Sequence, residues 1–355
     1  MYVVYKNKKK IILFTFFCVS VFFSGYLGWS YAVEVPQEEV STEKIDESTV
    51  LVGGMPVGIY METEGVLVLD TQSIQGIHGE VHNPARNLVK AGDYIIAVNG
   101  KIIPDKKSLI QVLHEMDEKD VVLKLRRQNE VLEVKLEAVE CDGHEYKLGI
   151  WVRDNVQGLG TVTFLTGNSQ YGALGHGIHD VDTNVLMDIQ EGSLYRTSIR
   201  SVVKGENGIP GSMEGMIVYN EYNRLGTVEK NTEAGIYGTI QDIGPLFEEQ
   251  IAVRVAQKEE IEVGNAKIRC FLDGKIQEYE IQIMDVDYNA KEINKGIVLQ
   301  VTDPRLLEET GGIIQGMSGS PILQNGKLIG AVTHVFVNDP SKGYGIFAET
   351  MLRQL

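Results

Sequence analysis

Two short glycine-rich windows in this 355-residue chain hold residues able to do acyl-transfer chemistry together. The first reads Gly316-Met317-Ser318-Gly319-Ser320-Pro321, the second Tyr171-Gly172-Ala173-Leu174-Gly175-His176-Gly177-Ile178. A serine flanked this closely by glycines suits a sharp turn that lifts its hydroxyl clear of the backbone. From such a turn the N–H groups of Gly316 and Ser318 would face a developing oxyanion, an interaction worth about 3 kcal/mol per donor. A serine hydroxyl is a weak nucleophile until an imidazole takes its proton, and the imidazole needs a carboxylate to fix its tautomer. His176, between two glycines, has no bulky neighbour to keep it from another loop. Each window alone also fits an ordinary turn or a structural histidine; the pair is what points to nucleophilic catalysis.

The residues leave the third partner open. Asp303 closes a strand-like segment fifteen residues before Ser318, whereas Asp180 and Asp182 lie too near His176 in sequence to orient it easily from behind. His179, Asp180 and Asp182 beside His176 look superficially like a metal cluster. Paired ligating histidines often come from a helix at i, i+4, and this window is not helical. No metal and no cofactor is expected. His334 and Asp339 read as loop or packing residues, and Gly343-Tyr344-Gly345 as a candidate wall of the specificity pocket.

The elements that must position these residues are mainly β. Beyond residue 148 the chain reads as short strands, such as 161–164 (TVTF), 216–219 (MIVY), 251–255 (IAVRV), 279–284 (YEIQIM), 297–301 (IVLQV) and 328–332 (LIGAV). Gly, Asn and Asp separate them, as in an antiparallel barrel or sandwich. No P-loop, dinucleotide fingerprint or HExxH is present. Lys+Arg 33 against Asp+Glu 49, net charge −16, argue against phosphate-backbone binding. Hydrophobic content of 43% is that of a folded chain. Of the three cysteines, Cys18 lies in an apolar run, leaving Cys141 and Cys270 as the one possible pair in the folded part; two separate buried thiols are the favoured reading and a bridge between them the alternative.

Residues 1–10 carry the basic run KNKKK, and 11–33 are an apolar stretch interrupted chiefly by Ser, Thr and Gly. That length and charge asymmetry fit a transmembrane signal-anchor with a cytoplasmic basic tail and the remaining chain exported. Residues 34–50 are acidic and aperiodic at first and read as a tether.

Residues 51–147 resemble a PDZ domain, a small α+β fold. Asn83-Pro84-Ala85 and Ala91-Gly92-Asp93-Tyr94-Ile95-Ile96-Ala97-Val98-Asn99-Gly100 carry the likeness, with a helical face of Leu109, Val112, Leu113 and Met116. Val57, Gly58 and Ile59 stand where that family has its peptide-binding loop, whose backbone N–H groups cradle a C-terminal carboxylate.

GMSGSP resembles trypsin-like peptidases generally. Taken in order with the apolar span, the PDZ-like region, GALGHGIHDVDT and TDPRLL, it resembles the stage IV sporulation protein B peptidase family over essentially the whole chain. That resemblance implies a double β-barrel-like serine peptidase domain over 148–355. It implies His176 as general base, Asp303 as its orienting carboxylate and Ser318 as nucleophile. It further implies a serine endopeptidase of spore formation, placed between mother-cell and forespore membranes. Such a protein cleaves itself near its N-terminus, then a membrane-bound regulator, so triggering intramembrane processing of pro-sigma-K. Expected partners are that regulator, the chain's own tether, a peptide ligand of the PDZ-like region and the membrane, with no nucleic acid. The competing reading is a noncatalytic PDZ adaptor with an inert barrel.

Overall fold

The computed structural model describes residues 48–141 and 145–355. The expected membrane span, basic tail and most of the tether lie outside these residues. Among the described residues no helix is long and apolar enough to cross a membrane.

In chain order the strands that build the site are β1 (Thr49–Val52), β2 (Pro56–Thr71), β3 (Tyr94–Val98), β4 (Asp120–Arg127), β5 (Glu130–Glu137), β6 (Ile150–Thr166), β7 (Gln170–Ala173) and β8 (Ile189–Val203). They continue with β9 (Lys230–Thr232), β10 (Gly235–Thr239), β11 (Gly264–Leu272), β12 (Lys275–Val286), β13 (Ile297–Val301), β14 (Pro321–Gln324), β15 (Lys327–Phe336) and β16 (Asp339–Phe347). Among the described residues three α-helices, α1 (Lys106–His114), α2 (Pro304–Thr310) and α3 (Ala348–Leu352), are short.

Strands β11–β12–β13–β16–β15–β14 close into an antiparallel barrel. Its core includes Ile268, Ile281, Ile283, Leu299, Ile322 and Val332, the inward members of alternating strands. A larger sheet runs β9–β10–β7–β6–β2–β3–β4–β5. Two separate cores share it. Val57, Ile59 and Met61 of β2 pack with Val162 and Leu165 of β6 and with Tyr171 and Leu194. Val66 and Val68, further along β2, pack instead with Ile95, Leu109, Leu123 and Leu136.

Thus β2 and β6 each run through both cores, paired antiparallel from Ile150 opposite Thr71 to Thr161 opposite Pro56. The small module is entered through β2 and left through β6, so the expected boundaries at 51 and 148 fall within or beside strands that serve two cores. The expected peptide-binding loop is corrected by this arrangement. Val57, Gly58 and Ile59 are buried near the start of β2 and paired on both edges, and a Cβ on Gly58 would sit 2.6 Å from Ile217. No carboxylate can reach backbone amides already committed to sheet pairing and covered by a side chain. Cys141 and Cys270 are separate and buried, with burial pushing the Cys270 thiol up to about 12.

Candidate active site

Ser318 stands on the second of two consecutive tight turns. Met317 N–H donates to Ile314 O at 3.1 Å with Gly316 at φ +100°, and Ser320 N–H donates to Met317 O at 2.9 Å with Gly319 at φ +94°. A positive φ at the third position is the type II geometry, so glycine is required there and Ser318 occupies the projecting corner. Gly319 is also needed for close approach: a Cβ would lie 2.0 Å from Thr161 O. Neither Gly316 N–H nor Ser318 N–H has a protein acceptor among the described residues.

Thr161, buried in β6, joins this turn to the histidine loop. Its N–H donates to Ser318 O at 2.9 Å, its Oγ1 to Gly316 O at 2.8 Å, and its carbonyl accepts Leu174 N–H at 3.2 Å. Leu174 and Gly175 follow β7 in left-handed conformation, at φ +67° and +71°, which turns the chain sharply before His176. For a leucine that conformation costs on the order of 1–2 kcal/mol. Asn231 of β9 then clamps the loop, accepting Ile178 N–H at 2.9 Å and donating to Ile178 O at 2.9 Å and Met187 O at 2.8 Å.

His176 and Ser318 line one cleft of about 500 Å³, with Leu174, Thr333 and His334 among its walls. His176 Nδ1 lies 2.9 Å from Gly177 O. A carbonyl only accepts, so Nδ1 carries the proton and Nε2 holds the lone pair a general base needs. Burial holds the His176 imidazole below its ordinary pKa, so it is neutral at pH 7. The Ser318 hydroxyl donates to Thr333 O at 2.8 Å.

The expected third partner is not in this cleft. Asp303 is the N-cap of α2, accepting Arg305 N–H at 3.0 Å, and its Oδ2 accepts Glu280 N–H at 3.2 Å and an Arg305 guanidinium N–H at 2.8 Å. The Arg305 guanidinium holds the Asp303 carboxyl down to about 2. Its oxygens are taken up by helix capping and by a neighbour two residues away, so the orienting role expected of it is not seen in this arrangement. Sequence order placed Asp303 near Ser318, but α2 and the loop after it separate the two.

A residue read as packing stands there instead. The His334 ring lies 4.9 Å from that of His176, centroid to centroid, and its buried Nδ1 has no hydrogen-bond partner. Burial, then the charge of His176, lowers His334 to about 4. No sequence signal marked it, because a histidine in a strand shows its neighbour only once the barrel and the larger sheet meet.

The remaining candidates serve structure. Asp180 Oδ1 accepts from Asp182 N–H, Thr183 N–H and Thr183 Oγ1, while Arg153 pairs with both aspartates. His179 lies 3.2 Å from Gly177 O and 3.4 Å from Glu233. Among the described residues, no three His, Cys, Asp or Glu are grouped to hold a metal ion. Tyr344 packs on Phe336, with ring centroids 4.6 Å apart, and Asp339 bonds Ser341 and Lys342.

A second cavity, about 390 Å³, lies between α1 and the start of β6 in the small module. Leu109, Ile110 and Leu113 face Leu148, Ile150 and Val152 across it. Gly149 between them has φ +66°, and a Cβ there would meet Gln72 O at 2.5 Å. Leu148-Gly149-Ile150 repeats the apolar-Gly-apolar pattern of residues 57–59 and was the signal that could have located this groove.

Similar solved structures include the PDZ domain of the SdrC-like protein Lmo2051 from Listeria monocytogenes, 18% identical, covering 25% of this chain and 87% of that one, TM-score 0.20. The active form of the Rv3671c protease from M. tuberculosis is 13% identical over 57% of this chain and 74% of its own, TM-score 0.33. The HtrA-type protease AlgW, solved with a decapeptide, is 10% identical over 85% of this chain and 63% of its own, TM-score 0.33. No curated protein matches the chain. The family described as SpoIVB peptidase S55 matches residues 144–352, which hold His176, Asp303 and Ser318. With that match over more than half its length, the chain belongs to the SpoIVB peptidase S55 family of serine peptidases.

Proposed function

We propose that the protein is a sporulation endopeptidase in which Ser318 is the nucleophile and His176 the general base. The observation that carries this reading is the shared cleft. It pairs a serine at a type II turn corner with a buried, neutral imidazole whose Nε2 is free to accept a proton. On substrate binding the Ser318 hydroxyl turns from Thr333 O toward His176, Oγ attacks the scissile carbonyl, and Nε2 takes the proton. The oxyanion forms beside the N–H groups of Gly316 and Ser318, and His176 returns its proton to the leaving amine. Gly177 O holds the tautomer in the place a carboxylate takes elsewhere.

The substrates in this reading are the chain's own acidic tether and a membrane-bound regulatory protein whose cleavage triggers processing of pro-sigma-K. The site of action is the space between mother-cell and forespore membranes, reached with the N-terminal span as anchor. The groove beside Leu148-Gly149-Ile150 takes an extended peptide by strand addition to β6. The test follows intact mass over time for a soluble form beginning in the tether, beside its Ser318→Ala version. Shortening only in the unmodified protein, together with labelling of Ser318 by a fluorophosphonate, is the expected result. Equal shortening of both proteins, or no labelling and no cleavage, would sink the reading.

A further inference from the structure

The cleft that holds Ser318 and His176 is lined mainly by apolar side chains, and among the described residues no Asp, Glu, Lys or Arg borders it. Its ionisable side chains are histidines, and burial holds both His176 and His334 below the ordinary imidazole pKa. The rims are apolar as well. Val181 is 85% exposed at one edge and Val337 53% exposed at the other. Apolar rims continuous with an apolar cleft mark a surface that a ligand covers.

The chemistry divides this cleft in two. The scissile carbonyl oxygen must face the N–H groups of Gly316 and Ser318, so the side chain one carbon away falls against the segment leading to them. Ile313 and Ile314 form that wall, with Val335 and Val337 completing it from β15 and the turn after it. Ile313 reaches the β15 side: a Cβ on Gly343 would lie 2.5 Å from Ile313 Cδ1 and 2.6 Å from His334 O. The leaving nitrogen must face His176, which protonates it, so the next residue lies toward Ile178, Val181 and Leu159. A charged side chain entering either half would lose its water and gain no counter-ion.

We infer that the enzyme selects an apolar residue on the acyl side of the scissile bond and rejects charge on either side of it. The inference rests on the peptidase reading above and deepens it. It also singles out one bond in the tether. Residues 34–47 read EVPQEEVSTEKIDE, in which Val35, Val40 and Ile45 are the aliphatic candidates. Val35 precedes Pro36, whose ring crowds the nitrogen that His176 must protonate. Ile45 precedes the charged Asp46, whereas Val40 precedes Ser41, which is small and uncharged. Self-cleavage therefore falls at Val40–Ser41. Ser318 Oγ bonds the Val40 carbonyl carbon, the Ser41 nitrogen leaves with the proton from His176, and water then hydrolyses the ester.

The experiment uses the full-length protein in detergent micelles, together with the peptide of residues 34–44 and its Val40→Leu, Val40→Asp and Val40→Lys versions. Self-shortening of the full chain is expected to leave Ser41 as the new N-terminus, and Val40→Asp in the full chain to slow it at least about tenfold. The unmodified and Val40→Leu peptides should exceed the two charged versions in kcat/KM by at least about tenfold. A smaller preference, or a new N-terminus created next to a charged residue, overturns the inference. If Ser318 is labelled by fluorophosphonate, that failure leaves the peptidase reading standing. No labelling and no cutting removes both. Val337→Asp alters an exposed rim and should leave the thermal midpoint unchanged. It should move the ratio of Val40→Lys peptide to unmodified peptide toward lysine by at least about tenfold. An unchanged ratio in that folded variant overturns the assignment of the acyl-side wall.

Discussion

The Ser318 hydroxyl is hydrogen-bonded to the carbonyl of Thr333, 2.8 Å away, rather than to His176 in the same cleft. That carbonyl belongs to β15, the strand that also carries His334, so the resting position of the nucleophile is set by the closed barrel. The base is set by the larger sheet, through Gly175, Gly177 and Asn231. The catalytic pair sits where the barrel and the larger sheet meet, and Thr161 bonds both the nucleophile turn and the histidine loop.

Asp303 acts as a helix cap and ion-pair partner, and its loss should be read in stability. Asp303→Ala is expected to cost about 1–2 kcal/mol. The activity of the folded fraction should fall much less than with His176→Ala. The pH dependence has a definite sign. The folded pKa, about 2, lies below the ordinary value of about 3.9, so this stabilisation is present above pH 4 and is lost as pH falls toward 2. Acid unfolding followed by circular dichroism should show that limb flattened in the variant. A variant that is fully stable yet inactive would restore Asp303 to a catalytic role.

The nucleophile turn should tolerate no side chain at Gly319. Gly319→Ala places a Cβ 2.0 Å from Thr161 O in a left-handed conformation, at a cost on the order of 1–3 kcal/mol from the backbone alone. Thr161→Val, which keeps the shape but removes the Oγ1 bond to Gly316 O, should cost about 1 kcal/mol and lower kcat more than it raises KM. Thermal unfolding and steady-state kinetics on both variants check this; an unchanged kcat for Thr161→Val would mean that the turn holds itself.

Neutral His176 is the active form, and burial lowers its pKa below about 6.5. Activity should therefore persist below that pH and fall only as His176 gains a proton. The charge of His179 adds to the lowering. In His179→Gln that charge is gone, protonation of His176 becomes easier, and the acid limb of kcat/KM should move to higher pH. A limb that moves to lower pH or stays fixed would show that His179 is not felt at the base.

The sequence by itself determined which residues are chemically competent and where the chain must turn. Gly316, Gly319, Gly175 and Gly177 could be read as turn positions around Ser318 and His176, and the strand-like segments from 161 onward mark a β-rich peptidase half. These features are local: a positive φ or an alternating apolar strand is written in a few adjacent residues. Only the tertiary structure decided that Val57, Gly58 and Ile59 lie buried in the larger sheet, that Leu148-Gly149-Ile150 borders the cavity beside α1, and that Asp303 is taken by Arg305 while His334 faces His176. Each of those outcomes depends on which distant strand becomes the neighbour, and two strands shared between two cores cannot be told from sequence spacing. The same apolar-Gly-apolar triplet is a buried strand in one place and a groove wall in the other, because only pairing on both edges, or on one, separates them.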